Sequence, residues 1–126
     1  MPLIVWVALG GAAGASLRYG AMLAAAPLAS RFHGWPVATL LVNVLGSLVI
    51  GLLAVWLVNR PMDSALRPLL VVGLLGGFTT FSSFSLDTVL LLQRGELVLA
   101  LLNVLGNVLI CILACALGLW IGRLAT

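Results

Sequence analysis

The sequence predicts an all-α membrane protein with four transmembrane helices per subunit, the third broken near Gly76–Thr80, working as an antiparallel dual-topology homodimer. Three observations lead there. The 126 residues include only six arginines and three acidic residues, while 63% are hydrophobic and the mean hydropathy is +1.30; a soluble domain carries charge on about a quarter of its residues. The chain divides almost completely into four apolar stretches, each near the roughly 20 residues that cross a bilayer. The arginines at the ends of those stretches are shared almost evenly between the two membrane faces.

The first span is read as Leu3–Pro27. No basic residue precedes its apolar run, so it is read as a retained helix and not a signal peptide, despite the Ala13-Gly14-Ala15 triplet. Arg18 interrupts it. A charge among helices costs several kcal/mol and marks a cavity, a pair or an ion route. Asp87 is its candidate partner by depth; the alternative is that Arg18 reaches an aqueous vestibule and concentrates anions there.

The second span is Pro36–Val58. Thr39, Asn43 and Ser47 recur every four residues and so share one stripe of the helix. In hydrocarbon such groups are either interhelical glue or the lining of a polar path; an amide donates N–H without a fixed charge.

The third span is Leu66–Leu92. Gly76-Gly77 followed by Phe78-Thr79-Thr80-Phe81 makes a poor continuous helix, since glycine adds backbone entropy and threonine restricts χ1. A break is predicted near Gly76–Thr80, where freed carbonyls can coordinate a small cation. Beyond it, Thr80, Ser83 and Asp87 fall within about 60° around the helix axis, at about 100° per residue. Phe81 and Phe84 flank that stripe, and a ring edge is positive enough to attract an anion.

The fourth span is Leu97–Gly122, with Asn103 and Asn107 again four apart. Cys111 and Cys115 follow one turn apart and are read as small packing residues without a metal or redox role. Asn43-Val44-Leu45-Gly46 recurs as Asn103-Val104-Leu105-Gly106, a trace of a duplicated two-helix unit or a chance match between Leu/Val-rich spans. Gly10/Gly14, Gly73/Gly77 and Gly118/Gly122 have the small-xxx-small spacing that lets backbones approach.

Four spans use the chain up as one unit, residues 1–126, with no extramembrane domain for a nucleotide fold or a nucleic-acid surface. The net charge of +3 reflects scattered arginines and not a phosphate-binding patch. With one histidine and no paired carboxylates there is no acid–base set, so no enzyme is expected. Arg60, Arg67 and Arg123 mark one face and Arg31 and Arg94 the other, whereas a fixed orientation shows a clear cytoplasmic excess. Either two oppositely inserted copies pair, or the count in so short a chain is noise, or a partner subunit sets the orientation.

Together these residues resemble the Fluc/CrcB fluoride channels of microbial membranes. The resemblance covers essentially the whole chain: Ser16-Leu17-Arg18-Tyr19 late in the first span, Thr39-Leu40-Leu41-Val42-Asn43 in the second, and above all Gly76-Gly77-Phe78-Thr79-Thr80-Phe81-Ser82-Ser83-Phe84-Ser85 in the third. It implies a multi-pass protein of the cell (inner) membrane, an antiparallel homodimer with two fluoride pores, and one structural Na+ held by the Gly76 and Thr79 backbone carbonyls of both subunits. It further implies that Asn43 offers its amide to fluoride and that Phe81 and Phe84 offer ring edges from opposite subunits. Thr39, Thr80, Ser83, Asn103 and Asn107 would extend the polar track, with Arg18 toward a vestibule. The family often carries Tyr or His and then Ser at the positions of Asn103 and Asn107, and Glu at that of Asp87.

Two other classes compete. A small four-helix proton-coupled exporter needs a membrane carboxylate, preferably in the first span, where this chain has Arg18; Asp87 is the only acidic candidate. A structural membrane subunit would use the Asn stripes purely as glue and conduct nothing.

Overall fold

The computed structural model describes residues 2–58 and 65–125, so Arg60 and Asp63 lie outside the described residues. Among the described residues four helices are long and apolar enough to cross a membrane: Leu3–Arg31, Val37–Val58, Pro68–Gln93 and Leu97–Leu124. The described residues contain no strand.

The first helix runs a turn past Pro27, where the sequence placed its end. Proline removes one backbone donor, here the one that would meet the Leu23 carbonyl, a loss that transmembrane helices tolerate. What stops the helix is the left-handed pair His33 (φ 54°) and Gly34 (φ 75°), with the Gly34 amide turned back onto the Ala29 carbonyl at 2.8 Å.

The glycine pairs are spent inside the chain. A Cβ on Gly73 would lie 2.7 Å from the Val7 carbonyl and 2.9 Å from the Gly10 Cα, and one on Gly77 would lie 2.7 Å from the Gly11 carbonyl. The first and third helices therefore meet backbone to backbone. Gly51 and Gly118 do the same between the second and fourth helices, where added Cβ atoms would collide with the Cys115 and Leu48 carbonyls. Such close approach replaces the hydrophobic drive that a bilayer does not supply.

The third helix is interrupted where the sequence places the break. Pro68–Leu75 is wound in wide π turns, Gly76–Phe78 adds one α turn, Thr79 and Thr80 are extended, and Phe81–Gln93 resumes the helix. The fourth helix also holds a π segment, Gly106–Ile110, between Leu97–Leu105 and Cys111–Leu124. π turns in membrane helices recur at functional positions.

Candidate functional site

Non-helical backbone at membrane depth must find partners within the protein. In an unbroken helix the Thr80 amide would close on the Gly76 carbonyl. Here it donates to Asn43 Oδ1 at 2.8 Å, and Asn43 Nδ2 donates back to the Thr80 carbonyl at 3.1 Å. One amide side chain thus serves both backbone groups of the buried Thr80. The neighbouring Thr79 carbonyl accepts from Arg18 Nη1 at 3.2 Å. Thr80 also caps the helix that follows, its Oγ1 accepting from the Ser83 amide at 3.1 Å and donating to the Ser83 hydroxyl at 3.1 Å.

Arg18 is therefore not paired with Asp87, as depth alone suggested. Asp87 accepts from the buried Thr39 hydroxyl, Oγ1 to Oδ2 at 2.7 Å. The guanidinium instead finds the carbonyl that the break leaves without its helical donor. That partner could not be read from the sequence, because it is a backbone atom.

The second N–H of Asn43 starts a ladder of amides. Asn43 Nδ2 donates to Asn107 Oδ1 at 2.9 Å, and Asn107 Nδ2 to Asn103 Oδ1 at 3.1 Å. Asn103 Nδ2 donates to Thr88 Oγ1 at 2.9 Å, and the Thr88 hydroxyl to the Phe84 carbonyl at 2.8 Å. Asn103 and Asn107 are both buried. Thr88 was absent from the sequence-based set; its place one turn beyond Phe84 was the available signal.

A cavity of about 460 Å³ opens beside this ladder. Asn43, Ser47, Thr79, Thr80, Asn107 and Cys111 supply its polar wall, with Phe81, Phe84 and Gly76 also lining it and no charged residue among the lining groups. Cys111 belongs to this wall, beside Ser47, rather than to packing alone. The four-residue step Asn103, Asn107, Cys111 would have shown it. Cys115 does not line the cavity.

Phe81 and Phe84 stand at the cavity's side with ring centroids 5.3 Å apart and planes at 59°. Phe84 is buried, but Phe81 is 78% exposed on the single chain. A tilted pair turns ring edges toward shared space. Thr39, on the same helix face as Asn43 but bonded to Asp87, lies outside the cavity lining, as do Ser83, Asn103 and Arg18. The candidate residues thus form a cavity wall and a hydrogen-bonded second layer behind it.

Chemically, the wall offers amide, hydroxyl and thiol hydrogens and aromatic edges around an uncharged space. A set of this kind can replace part of the hydration of a small ion without a cationic clamp to trap it.

Comparison with known proteins gives one consistent result. Residues 5–119 match the family described as CrcB-like protein, Camphor Resistance (CrcB). A protein of Magnetococcus marinus is 53% identical over 122 residues, covering 96% of this chain and 98% of its own. One from Paracoccus denitrificans is 49% identical over 117 residues (93% and 91%), and one from Roseobacter denitrificans 44% over 123 residues (98% and 97%). All three are named fluoride-specific ion channels, FluC.

Proposed function

The chain belongs to the CrcB family, and from that premise we infer that it is a fluoride-specific ion channel, a conduit and not an enzyme, which lets fluoride leave the cell passively and lowers its cytoplasmic level. The observation that carries the reading is the uncharged cavity wall at the helix break. Fluoride is small and strongly hydrated, so its passage requires several donors in sequence and no fixed positive charge deep enough to hold it. Asn43 and Ser47 carry such donors along one wall, while the hydrogens of Thr80 and Asn107 beside them are directed to Asn43, Ser83 and Asn103. The Asn43 N–H that now reaches Asn107 Oδ1 is the one a passing anion can claim, because an anion takes the place of that oxygen while the Thr80 clasp stays closed.

The working unit is two copies of opposite orientation in the cell (inner) membrane, with one pore per copy. A cavity bounded by an exposed Phe81 needs a second surface to close it, and the near-even arginines permit insertion both ways. Phe81 of one copy and Phe84 of the other then present ring edges to the ion, and Thr39, Ser83, Asn103 and Arg18 support or extend the track.

The donor set at the break also fits a structural Na+. The Gly76 carbonyl has lost its Thr80 donor to Asn43, Gly76 and Thr79 both line the cavity, and the Thr79 carbonyl, bonded once to Arg18, retains a second lone pair. These two carbonyls from each copy would hold the ion, which supplies a positive charge that ties the two breaks together. Arg18 keeps the Thr79 carbonyl in place for it.

The test is ion efflux from liposomes containing the purified protein. Rapid fluoride release with chloride retained is the expected result; release of neither ion, or of both alike, overturns the reading.

A further inference from the structure

We propose that a groove beside the loop of residues 32–36 binds an anionic phospholipid, with the phosphate held by Arg31 and Arg94 and one acyl chain lying along the fourth helix. The groove, of about 520 Å³, is lined by Phe32, Trp35, Leu99, Leu102 and Leu109 among others, and its wall carries no acidic side chain. Gly106 forms part of its floor, where an added Cβ would come into ordinary contact with the Leu40 methyls at 3.7 and 3.8 Å. From Leu99 to Ile110 the groove runs about 16 Å, at about 1.5 Å per residue. That is close to half of a hydrocarbon core about 30 Å thick, the depth of one leaflet.

The rim has the opposite character. Arg31 ends the first helix and pairs with no carboxylate among the described residues. Arg94 folds across the loop, its Nη1 3.5 Å from the position of a Cβ on Gly34. Its acidic neighbour Glu96 stands 4.0 Å from Nε, beyond hydrogen-bond length, so the terminal guanidinium donors remain available. His33, also lining the groove, adds a third nitrogen base beside them. Trp35 Nε1 donates to the Leu99 carbonyl at 3.1 Å, which fastens the loop to the fourth helix and sets the indole at the headgroup level where tryptophan is favoured.

An apolar trough about one leaflet deep, beside a loop that Arg31 precedes in the chain and that Arg94 reaches at Gly34, is complementary to a molecule that joins an anion to a hydrocarbon chain. Guanidinium forks suit phosphate oxygens, and each basic residue near an anionic membrane surface adds about fivefold in affinity. The groove shares no lining residue with the cavity at the helix break, so its occupant would act on orientation and stability and not on the ion's contacts.

The experiment is native mass spectrometry of the purified protein released from membranes of phosphatidylglycerol and phosphatidylcholine with identical acyl chains. Phosphatidylglycerol is expected to be retained at least tenfold over phosphatidylcholine. The Arg31→Gln/Arg94→Gln pair should remove that preference, and Leu102→Trp, which fills the trough, should lower retention of both lipids with fluoride efflux unchanged. Equal retention of the two lipids by the unaltered protein overturns the proposal without any variant. So does displacement of phosphatidylglycerol by millimolar inorganic phosphate, which would indicate a bare anion site. A disulfide between copies through Leu102→Cys, in a protein with Cys111 and Cys115 changed to serine, would make the groove a subunit interface and overturn it too.

Discussion

Asn43 holds Thr80 by both of its backbone groups, accepting from its N–H at 2.8 Å and donating to its carbonyl at 3.1 Å. A residue on the second helix thereby completes the backbone bonding of a gap in the third. The clasp explains why two extended residues persist at membrane depth, and it leaves one Asn43 N–H facing Asn107 across the cavity wall.

Asn43→Asp separates clasp from donor. A carboxylate still accepts from the Thr80 amide but faces the Thr80 carbonyl and Asn107 Oδ1 without a hydrogen to give, leaving two acceptors unmet at about 1–3 kcal/mol each. Fluoride efflux is expected to fall by about tenfold or more, since 1.4 kcal/mol is already a factor of ten, and the thermal midpoint to drop. Undiminished efflux would remove Asn43 from the path.

Arg18→Met takes from the Thr79 carbonyl its only side-chain donor among the described residues. A hydrogen bond to a charged group is worth about 1.5–3 kcal/mol. The variant should unfold at lower temperature, and more of its midpoint should depend on added Na+, because the cation is then the remaining partner of that carbonyl. A midpoint unchanged from the parent protein would show that Arg18 does not support the break.

Gly73→Ala and Gly20→Ala should move in opposite directions. At Gly73 the new methyl meets backbone on the first helix at 2.7 and 2.9 Å, so the helices must part, at about 1–3 kcal/mol as for other overpacked sites. At Gly20 nothing lies within 4 Å, and alanine gains about 1 kcal/mol of helix propensity. Thermal unfolding of the two purified variants measures both signs.

Much of this was legible in the sequence for definable reasons. Gly76-Gly77 before Thr79-Thr80 conflicts with continuous helix at four positions within five residues, so the break was local information. The partners of the break were not, because Asn43 and Arg18 lie on other helices and bind backbone atoms that composition does not reveal. The π turns at Pro68–Leu75 and Gly106–Ile110 leave no residue signature either, since they differ only in which carbonyl each amide selects. Pro27 misled in the usual direction: it weakens a helix in water, but a membrane leaves the chain no better alternative than to continue.

Cys111 gives a chemical report on which wall the ion uses. It lines the cavity with Asn43 and Asn107, whereas Cys115 does not. A small methanethiosulfonate reagent is expected to block fluoride efflux, with the block lost in Cys111→Ser and kept in Cys115→Ser. Block that follows Cys115 would place the route elsewhere.

Asp87→Asn separates a channel from a proton-coupled exporter. Asp87 is a carboxylate within the third span that accepts from Thr39, and an exporter would need it to bind and release protons. In a channel built on uncharged donors its charge is not part of the transport step. Asparagine keeps an oxygen for the Thr39 hydroxyl, so the local bond survives while the charge goes. Loss of a negative charge near an anion's path can only favour the ion, so efflux should be equal to that of the parent protein or slightly faster. Asp87→Leu is the companion, since it strands the Thr39 hydroxyl at about 1–3 kcal/mol and should lower the thermal midpoint while leaving fluoride selectivity over chloride intact. Abolished efflux in Asp87→Asn with a normal thermal midpoint would make the carboxylate part of the transport step and return the exporter reading to first place.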